Sequence, residues 1–307
     1  MKNSINSSLK NRSSDFQGSY GRKTEAPRFG AVMIHQMAIM IEFHTLLPHI
    51  SLRPYIKMYF WGRDANPPDV QRIVPNGEMG LWFYRGNKVE YVGRGEVQSC
   101  LSGQPVTFLD ISSRGEIEIV GAHFTVLGAC LFFRNLNGAF GEFINVNDSD
   151  DRELKELEER VALAKCYADC WTEMETFFLR RLTTTDVDIL NLKRLHRAIS
   201  YGQRHLAEVR IDDIATEACL SRRHFGRLFS ELVGLSPKDF LRLRRYHKTL
   251  SDIKTNRTGI SLTEIAWRNG YYDFSHLSSD FRKITGYSPS HLLHVSENDH
   301  DEIGWRI

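Results

Sequence analysis

The clearest pattern of apolar and polar residues in this sequence occurs twice between Arg210 and Leu292. The tetrapeptide Gly-Leu-Ser-Pro at 234–237 returns as Gly-Tyr-Ser-Pro at 286–289, 52 residues later. The same offset aligns Phe225 with Leu277, Phe229 with Phe281 and Phe240 with Leu292, whereas Ile214-Ala215 aligns with Ile265-Ala266 at an offset of 51. This repeat predicts a duplicated unit of a few short helices, with one extra residue in the second turn.

In the first copy the spacing predicts two short helices joined by a tight turn. Apolar residues recur at helical intervals over 211–218 and again over 225–232. Ser221 is a favourable N-cap for the second helix, and Gly234 ends it. Four residues project from the opposite face of that helix: Arg222, Arg223, Gly226 and Arg227. Because an arginine fork matches O6 and N7 of guanine, we predict that these residues contact DNA bases.

The second copy shows the same two helices with a less basic face. Its first helix starts with the capping-box pattern Ser261-Leu-Thr-Glu264, Gly270-Tyr271 forms the turn, and its second helix starts at Asp273. The exposed face of that second helix carries Phe274, Ser275, Ser278 and Ser279. We expect these residues to read bases in a second half-site, through thymine methyls, and to contact phosphates.

Together the two copies resemble the AraC/XylS family of bacterial transcription regulators. The resemblance covers roughly residues 190–295 and is most specific in Ile-Ala-(x)3-Gly-Tyr-Tyr-Asp-(x)3-Leu-(x)3-Phe-Arg-Lys-(x)2-Gly-Tyr-Ser-Pro. It implies two helix-turn-helix units, joined by a linking helix at 236–254, that enter two successive major grooves of double-stranded DNA. It also implies RNA polymerase as a partner. The residues expected to contact the DNA backbone are Ser221, Arg242, Arg244, Arg245, Arg282 and Lys283.

Charge and composition agree with this interpretation. Residues 186–295 contain 18 Lys and Arg against 12 Asp and Glu, a balance of +6, while the rest of the chain carries −4. Such asymmetry is typical of a protein in which one part meets nucleic acid. The five cysteines include no Cys-x-x-Cys pair, so we expect neither a disulfide framework nor a metal site. With no apolar run long enough to span a bilayer and no signal sequence, we expect a cytoplasmic protein that does not bind membranes.

The first part of the chain predicts a β-rich domain at 41–148. Short β-like runs occur at 58–61, 79–84, 88–92, 104–111, 116–120 and 122–126, separated by turn residues. Several segments, including Arg72-Ile-Val-Pro-Asn-Gly77, resemble the N-terminal sensing-type domain of one AraC-family subgroup. A barrel or sandwich of this kind could hold a small-molecule effector in a pocket lined by Trp61, Arg72, Trp82, Phe83 and His123. Ordinary core packing of the aromatic residues is an equally good interpretation.

The remaining segments predict a tail, a connector and a second tail. Residues 1–40 are polar and are expected to be a flexible tail, either a leader or the product of an over-extended start site, with DNA contact as the weaker alternative. Apolar residues recur at helical spacing over 150–182, a stripe that could form a homodimer or pack back on the barrel. The connector spans 149–185, the DNA-binding domain 186–295, and a C-terminal tail 296–307.

We therefore predict an α+β multidomain protein, with a β-rich regulatory domain, a helical connector and an all-α domain with tandem helix-turn-helix units. Its predicted function is sequence-specific DNA binding as a transcription regulator, with no cofactor. A ligand- or protein-binding module whose helix-turn-helix domain no longer reads DNA is the alternative. Gly-x-Ser-x-Gly, P-loop and Gly-x-Gly-x-x-Gly motifs are absent, and no cysteine cluster holds an activated nucleophile, so an enzyme is not expected.

Overall fold

The computed structural model describes residues 42–133, 143–256 and 259–294, and the predicted tails 1–40 and 296–307 lie outside these ranges. The strands are β1 (Glu42–Leu46), β2 (Ile56–Asp64), β3 (Gln71–Ile73), β4 (Gly80–Gly86), β5 (Val89–Tyr91), β6 (Gly95–Val97), β7 (Ser99–Ser102), β8 (Leu109–Ser113), β9 (Ile117–Phe124) and β10 (Phe143–Asn145). The helices are α1 (Arg152–Leu163), α2 (Tyr167–Thr184), α3 (Ile189–Arg204), α4 (Ile211–Glu217), α5 (Arg222–Val233), α6 (Pro237–Lys254), α7 (Leu262–Arg268), α8 (Phe274–Thr285) and α9 (Pro289–His294). The predicted fold class is confirmed.

The strands form two antiparallel sheets that pack face to face. A six-stranded sheet has the order β1-β2-β9-β4-β7-β10, and a four-stranded sheet has the order β3-β8-β5-β6. The runs predicted at 116–120 and 122–126 form one continuous strand, β9, because Gly121 continues the ladder opposite Phe60 and Trp82. The predicted strand at 104–111 begins only at Leu109. The short strands β1, β3, β6, β7 and β10 carry too little alternation to be predicted.

The apolar stripe over 150–182 forms two helices instead of the single helix that the sequence predicts. Ala164 has an extended backbone after α1, and Cys166 is the N-cap of α2. The Arg85 side chain donates a hydrogen bond to the Ala164 carbonyl at 2.6 Å, which satisfies an acceptor at the end of α1. The break lets both helices lie on the six-stranded sheet.

Packing on the sheet, and not an outward-facing surface, accounts for most of this stripe. Its buried members are Leu154, Leu157, Val161, Cys170, Trp171, Met174, Phe177 and Phe178, and all belong to one core with the six-stranded sheet. Trp171 donates its indole N–H to the Phe60 carbonyl at 3.3 Å. A homodimer would therefore need a different surface.

Helices α3 to α9 enclose a second core around α6, the linking helix. The sequence predicted this helix at 236–254, and Ser236 proves to be its N-cap, with Pro237 in the first turn. The ring of Phe240 lies 5.4 Å from that of Phe229 on α5. The ring of Tyr246 lies 4.7 Å from that of Phe281 on α8. Among the described residues, none of the helices combines the length and apolar character that crossing a membrane requires.

The β-rich part and the helical part share a polar and apolar interface around the loop after β3. Val74 belongs to the core of the helical part. Glu78 lies between Lys57 and Arg244, with an ion pair to each. Burial alone would raise the pKa of Glu78, but Lys57 and Arg244 outweigh burial and hold that pKa below its usual value.

Two further hydrogen bonds cross this interface. The side-chain amide of Gln104 donates to the Val233 carbonyl at the end of α5 at 2.7 Å. The ring Nε2 of His247 lies 2.8 Å from the Pro75 carbonyl oxygen. Burial lowers the pKa of His247 from 6.5 to about 4, so the neutral ring donates to Pro75 at neutral pH.

The lowered pKa of His247 predicts a loss of stability in mild acid. Because the unfolded chain binds this proton near pH 6.5 and the folded chain does not until about pH 4, stability falls as pH drops through that window. The contribution of one such histidine is at most about 1.4 kcal/mol per pH unit. His247→Gln keeps a donor for Pro75 and removes the proton, so urea unfolding between pH 7 and 5 should show a shallower pH dependence.

The matched control is His196→Gln, which changes an exposed histidine on α3. It shows what the loss of an exposed histidine ring alone does to the same measurement. Equal slopes for the wild type and His247→Gln would contradict the assigned role of this histidine.

Candidate nucleic-acid interface

Both helix-turn-helix units turn through one residue in the left-handed region. Cys219 has φ 54° in the first unit, and Gly270 has φ 76° in the second. In both units the next residue hydrogen-bonds back to the preceding helix. The Leu220 N–H donates to the Ala215 carbonyl, and the Tyr271 N–H donates to the Ala266 carbonyl, both at 3.0 Å. The duplicated sequence therefore folds into duplicated geometry.

The exposed face of α5 presents the arginines that the sequence selected for base reading. Ser221 caps this helix by accepting the His224 N–H at 3.3 Å, which orients its first turn. Arg222 is exposed but pairs with Asp212 at 3.0 Å. Among the described residues, neither Arg223 nor Arg227 has an ion pair or hydrogen bond, and both are exposed. Their guanidiniums are thus available to a ligand.

The corresponding face of α8 forms an open groove. It is lined by all four predicted base-reading residues of the second unit and by two of the predicted backbone residues: Phe274, Ser275, Ser278, Ser279, Arg282 and Lys283. Ser278 is only 7% exposed and lies at the floor, whereas Ser275 and Ser279 are exposed. Asp273 caps the helix by accepting the His276 N–H at 2.7 Å.

Three arginines of α6 that were predicted to contact the DNA backbone have partners inside the protein. Arg242 pairs with Asp280 at 2.9 Å. Arg244 pairs with Glu78 across the interface between the β-rich and helical parts. The Arg245 side chain donates to the Leu206 carbonyl at 3.3 Å. All three are partly buried, because α6 is covered by its neighbours along most of its length.

A cavity of about 120 Å³ lies between the two sheets, and only two of the five predicted pocket residues line it. Trp82 and His123 face the cavity, whereas Trp61 and Phe83 belong to the core under α1 and α2. Side chains alternate along a strand, so the neighbours Trp82 and Phe83 must point to opposite faces. This alternation alone predicts that only one of the two residues faces the cavity.

The fifth predicted pocket residue, Arg72, takes part in the contact between the two parts of the chain. Its guanidinium pairs with Asp110 at 2.8 Å and reaches the Thr285 carbonyl at the end of α8 at 3.4 Å. It also lies 3.8 Å from the ring centre of Phe108 and 4.9 Å from that of Tyr287. These contacts link strand β3 to the second helix-turn-helix unit.

The cavity has aromatic walls and one buried polar atom without a partner. Phe60, Trp82 and Tyr84 belong to the six-stranded sheet and Tyr91 to the four-stranded sheet. No hydrogen bond satisfies Nδ1 of His123 among the described residues. Burial lowers the pKa of His123 to about 3, so the ring is neutral. Glu78 and Pro75 line the same cavity, so its wall is also the loop that contacts α6.

Comparison with known proteins agrees with this geometry. Residues 214–294 match the model of a helix-turn-helix domain, and residues 44–141 match the model of a domain of unknown function, DUF6597. The HTH-type transcriptional activator RhaS of Escherichia coli is 30% identical over 118 residues, which are 38% of this chain and 42% of RhaS. The chain thus spans about two fifths of the length of that curated relative.

Two solved structures show a remote likeness. The DNA-binding domain of AdpA, solved in complex with a target DNA, is 26% identical, and the match covers 34% of this chain and 95% of AdpA's, with a TM-score of 0.32. ToxT from Vibrio cholerae is 15% identical, and the match covers 82% of this chain and 97% of ToxT's, with a TM-score of 0.42.

Two glycines near the interface should respond oppositely to substitution by alanine. A Cβ at Gly270 would lie 2.1 Å from the Ala207 carbonyl oxygen, at a positive φ. We expect Gly270→Ala to lower the free energy of unfolding by more than about 2 kcal/mol. A Cβ at Gly226 would meet nothing within 4 Å, so Gly226→Ala should raise this free energy by about 1 kcal/mol through helix propensity.

Urea unfolding of both variants beside the wild type measures these changes. Equal stability of the Gly270→Ala variant and the wild type would contradict the close approach of this turn to Ala207.

Proposed function

Because the C-terminal region of this chain is an AraC-type helix-turn-helix domain, we propose that the protein is a sequence-specific DNA-binding transcription regulator. Helices α5 and α8 enter two successive major grooves on one face of the DNA. The observation that carries this proposal is the exposure of Arg223 and Arg227 on the N-terminal half of α5, without protein partners among the described residues. In this helix they can form bidentate contacts with guanine.

Contacts to the DNA backbone come from fewer residues than the sequence predicted. Arg282 and Lys283 are exposed at the α8 groove, and the exposed Ser221 lies at the start of α5. Arg242, Arg244 and Arg245 support this interface by holding α6 in place and are not the first candidates for phosphate contact. A modest dependence of affinity on salt follows from so few cationic contacts.

Control of DNA binding passes through the β-rich part. The loop at 74–79 forms part of the cavity wall on one side and contacts α6 on the other. A small, largely apolar molecule with one polar group that hydrogen-bonds to the neutral His123 ring fits this cavity. Because the same loop lines the cavity, its binding would change the contact to α6.

The role of transcription regulator also suggests a protein partner and a choice between activation and repression. RhaS is named an activator, and we propose activation for this chain too, with RNA polymerase as the partner that the DNA-bound protein contacts. The site of action is then the bacterial cytoplasm. We assign no surface to a homodimer, because the apolar stripe over 150–182 is largely buried.

Arg223→Ala and Arg227→Ala test the proposed base contacts. Each should weaken binding to a duplex selected from random DNA by about 1–3 kcal/mol and relax the preference at one base pair. Fluorescence anisotropy at near-physiological salt, with selected and scrambled duplexes, measures both effects. The control is Arg152→Ala, which removes the same charge from the highly exposed Arg152 on α1.

Unchanged affinities for both duplexes in Arg227→Ala would contradict the proposal. They would favour the alternative function, in which the helix-turn-helix domain contacts a ligand or a protein instead of DNA.

Gln104→Ala tests whether the β-rich part holds the two reading units in position. It removes the hydrogen bond from Gln104 to the end of α5, so the units lose part of their fixed spacing. We expect weaker binding to a duplex with both half-sites and unchanged binding to one with a single half-site, because only the former needs the spacing. Gln203→Ala, at an exposed position of α3, is the control.

A tighter complex of Gln104→Ala with the two-site duplex would contradict this account. It would show that the contact holds the units in a spacing that does not fit DNA.

A further inference from the structure

The two recognition helices have different chemistry at equivalent positions. At the offset of 52, Arg222 corresponds to Phe274, Arg223 to Ser275 and Arg227 to Ser279. Each of the three arginines of α5 is thus replaced by an aromatic ring or a hydroxyl on α8. Both helices are capped and turned in the same way, so the difference lies in the side chains that face the ligand.

The α8 groove combines an apolar surface, hydroxyl groups and cations in separate places. Phe274 is half-buried against the core of the helical part, which holds its ring at one end of the groove. Ser275, Ser278 and Ser279 supply hydroxyls along the next turn. Arg282 and Lys283 stand at the C-terminal end, where they can meet a phosphate.

An aromatic rim extends this apolar surface at the start of α8. Tyr272 is the extra residue of the second copy, directly before the cap Asp273, and is 85% exposed. Trp267 is 59% exposed, and its indole N–H donates to the Tyr272 carbonyl at 3.0 Å. The end of α7 and the turn after it therefore present two large rings to solvent, and the hydrogen bond fixes the Trp267 ring.

Serine hydroxyls can contact several bases, so the other lining residues decide which base this groove favours. Guanine is read by an arginine or lysine fork, adenine by an Asn or Gln amide, and cytosine by a carboxylate. The described lining contains no amide and no carboxylate, and its two cations lie at the phosphate end. Thymine instead presents a methyl group and the O4 acceptor, which match an aromatic surface and a serine hydroxyl.

We propose that α8 reads a thymine-containing half-site through contact of Phe274 with thymine methyl groups, while α5 reads guanine. The two halves of the operator are therefore chemically unequal, although the two protein units are copies. This inference rests on the proposed function, since it names the DNA sequence that the second unit selects.

Removal of the thymine methyl groups tests the inference directly. A duplex selected by the full-length protein from random DNA is resynthesised with deoxyuridine in place of thymidine, first in one half-site and then in the other. We expect the affinity to fall about fourfold for each methyl that Phe274 buries, in one half-site only. In Phe274→Ala this difference between the thymidine and deoxyuridine duplexes should disappear.

Two variants keep the test decisive if Phe274→Ala does not fold. Phe274→Leu retains an apolar side chain and should retain most of the sensitivity to the methyl group. Ser275→Arg places an arginine where the first copy has Arg223, and its selected DNA should gain guanine in the methyl-sensitive half-site and nowhere else.

The outcomes separate this inference from the function on which it rests. Specific binding with equal affinities for thymidine and deoxyuridine duplexes overturns the inference and leaves the regulator function intact, with α8 gripping phosphates only. Selection of no sequence by the wild-type protein overturns both.

Discussion

The burial of linking helix α6 on several sides is the constraint on which the rest of the structure depends. One aromatic contact, Phe240 with Phe229, holds it to α5, and another, Tyr246 with Phe281, holds it to α8. The loop at 74–79 covers a further part of it. Because interiors are close-packed, none of these surfaces can shift without disturbing the others. The spacing of the two reading helices is therefore linked mechanically to the β-rich part.

This burial also determines which positive charges are paired inside the protein. The helical part carries a surplus of basic residues, but Arg242 and Arg244 neutralise carboxylates inside the protein. Leaving such partly buried carboxylates without a partner would be costly, so these ion pairs stabilise the fold. Among the described residues, exposed cations without a protein partner remain at Arg223 and Arg227 on α5 and at Arg282 and Lys283 on α8. Net charge alone could not have located them.

The helices of the reading units were predictable because their signals are local. Ser221 and Gly234 mark the ends of α5, Ser236 caps α6, and the apolar spacing between them is unambiguous. The partners of the arginines and the break after Leu163 were not predictable, because they depend on contacts far along the chain. The same holds for the cavity, whose wall includes Glu78. These features depend on packing between segments that are distant in the sequence, and the residue pattern of a single segment does not specify such packing.

A footprint of the full-length protein on a selected duplex tests the central claim, that two rigidly spaced helices read two successive grooves. Hydroxyl-radical cleavage maps the protected sugars on both strands. We predict two protected patches about 10 base pairs apart on one face of the DNA. A single patch, or two patches on opposite faces, would contradict it.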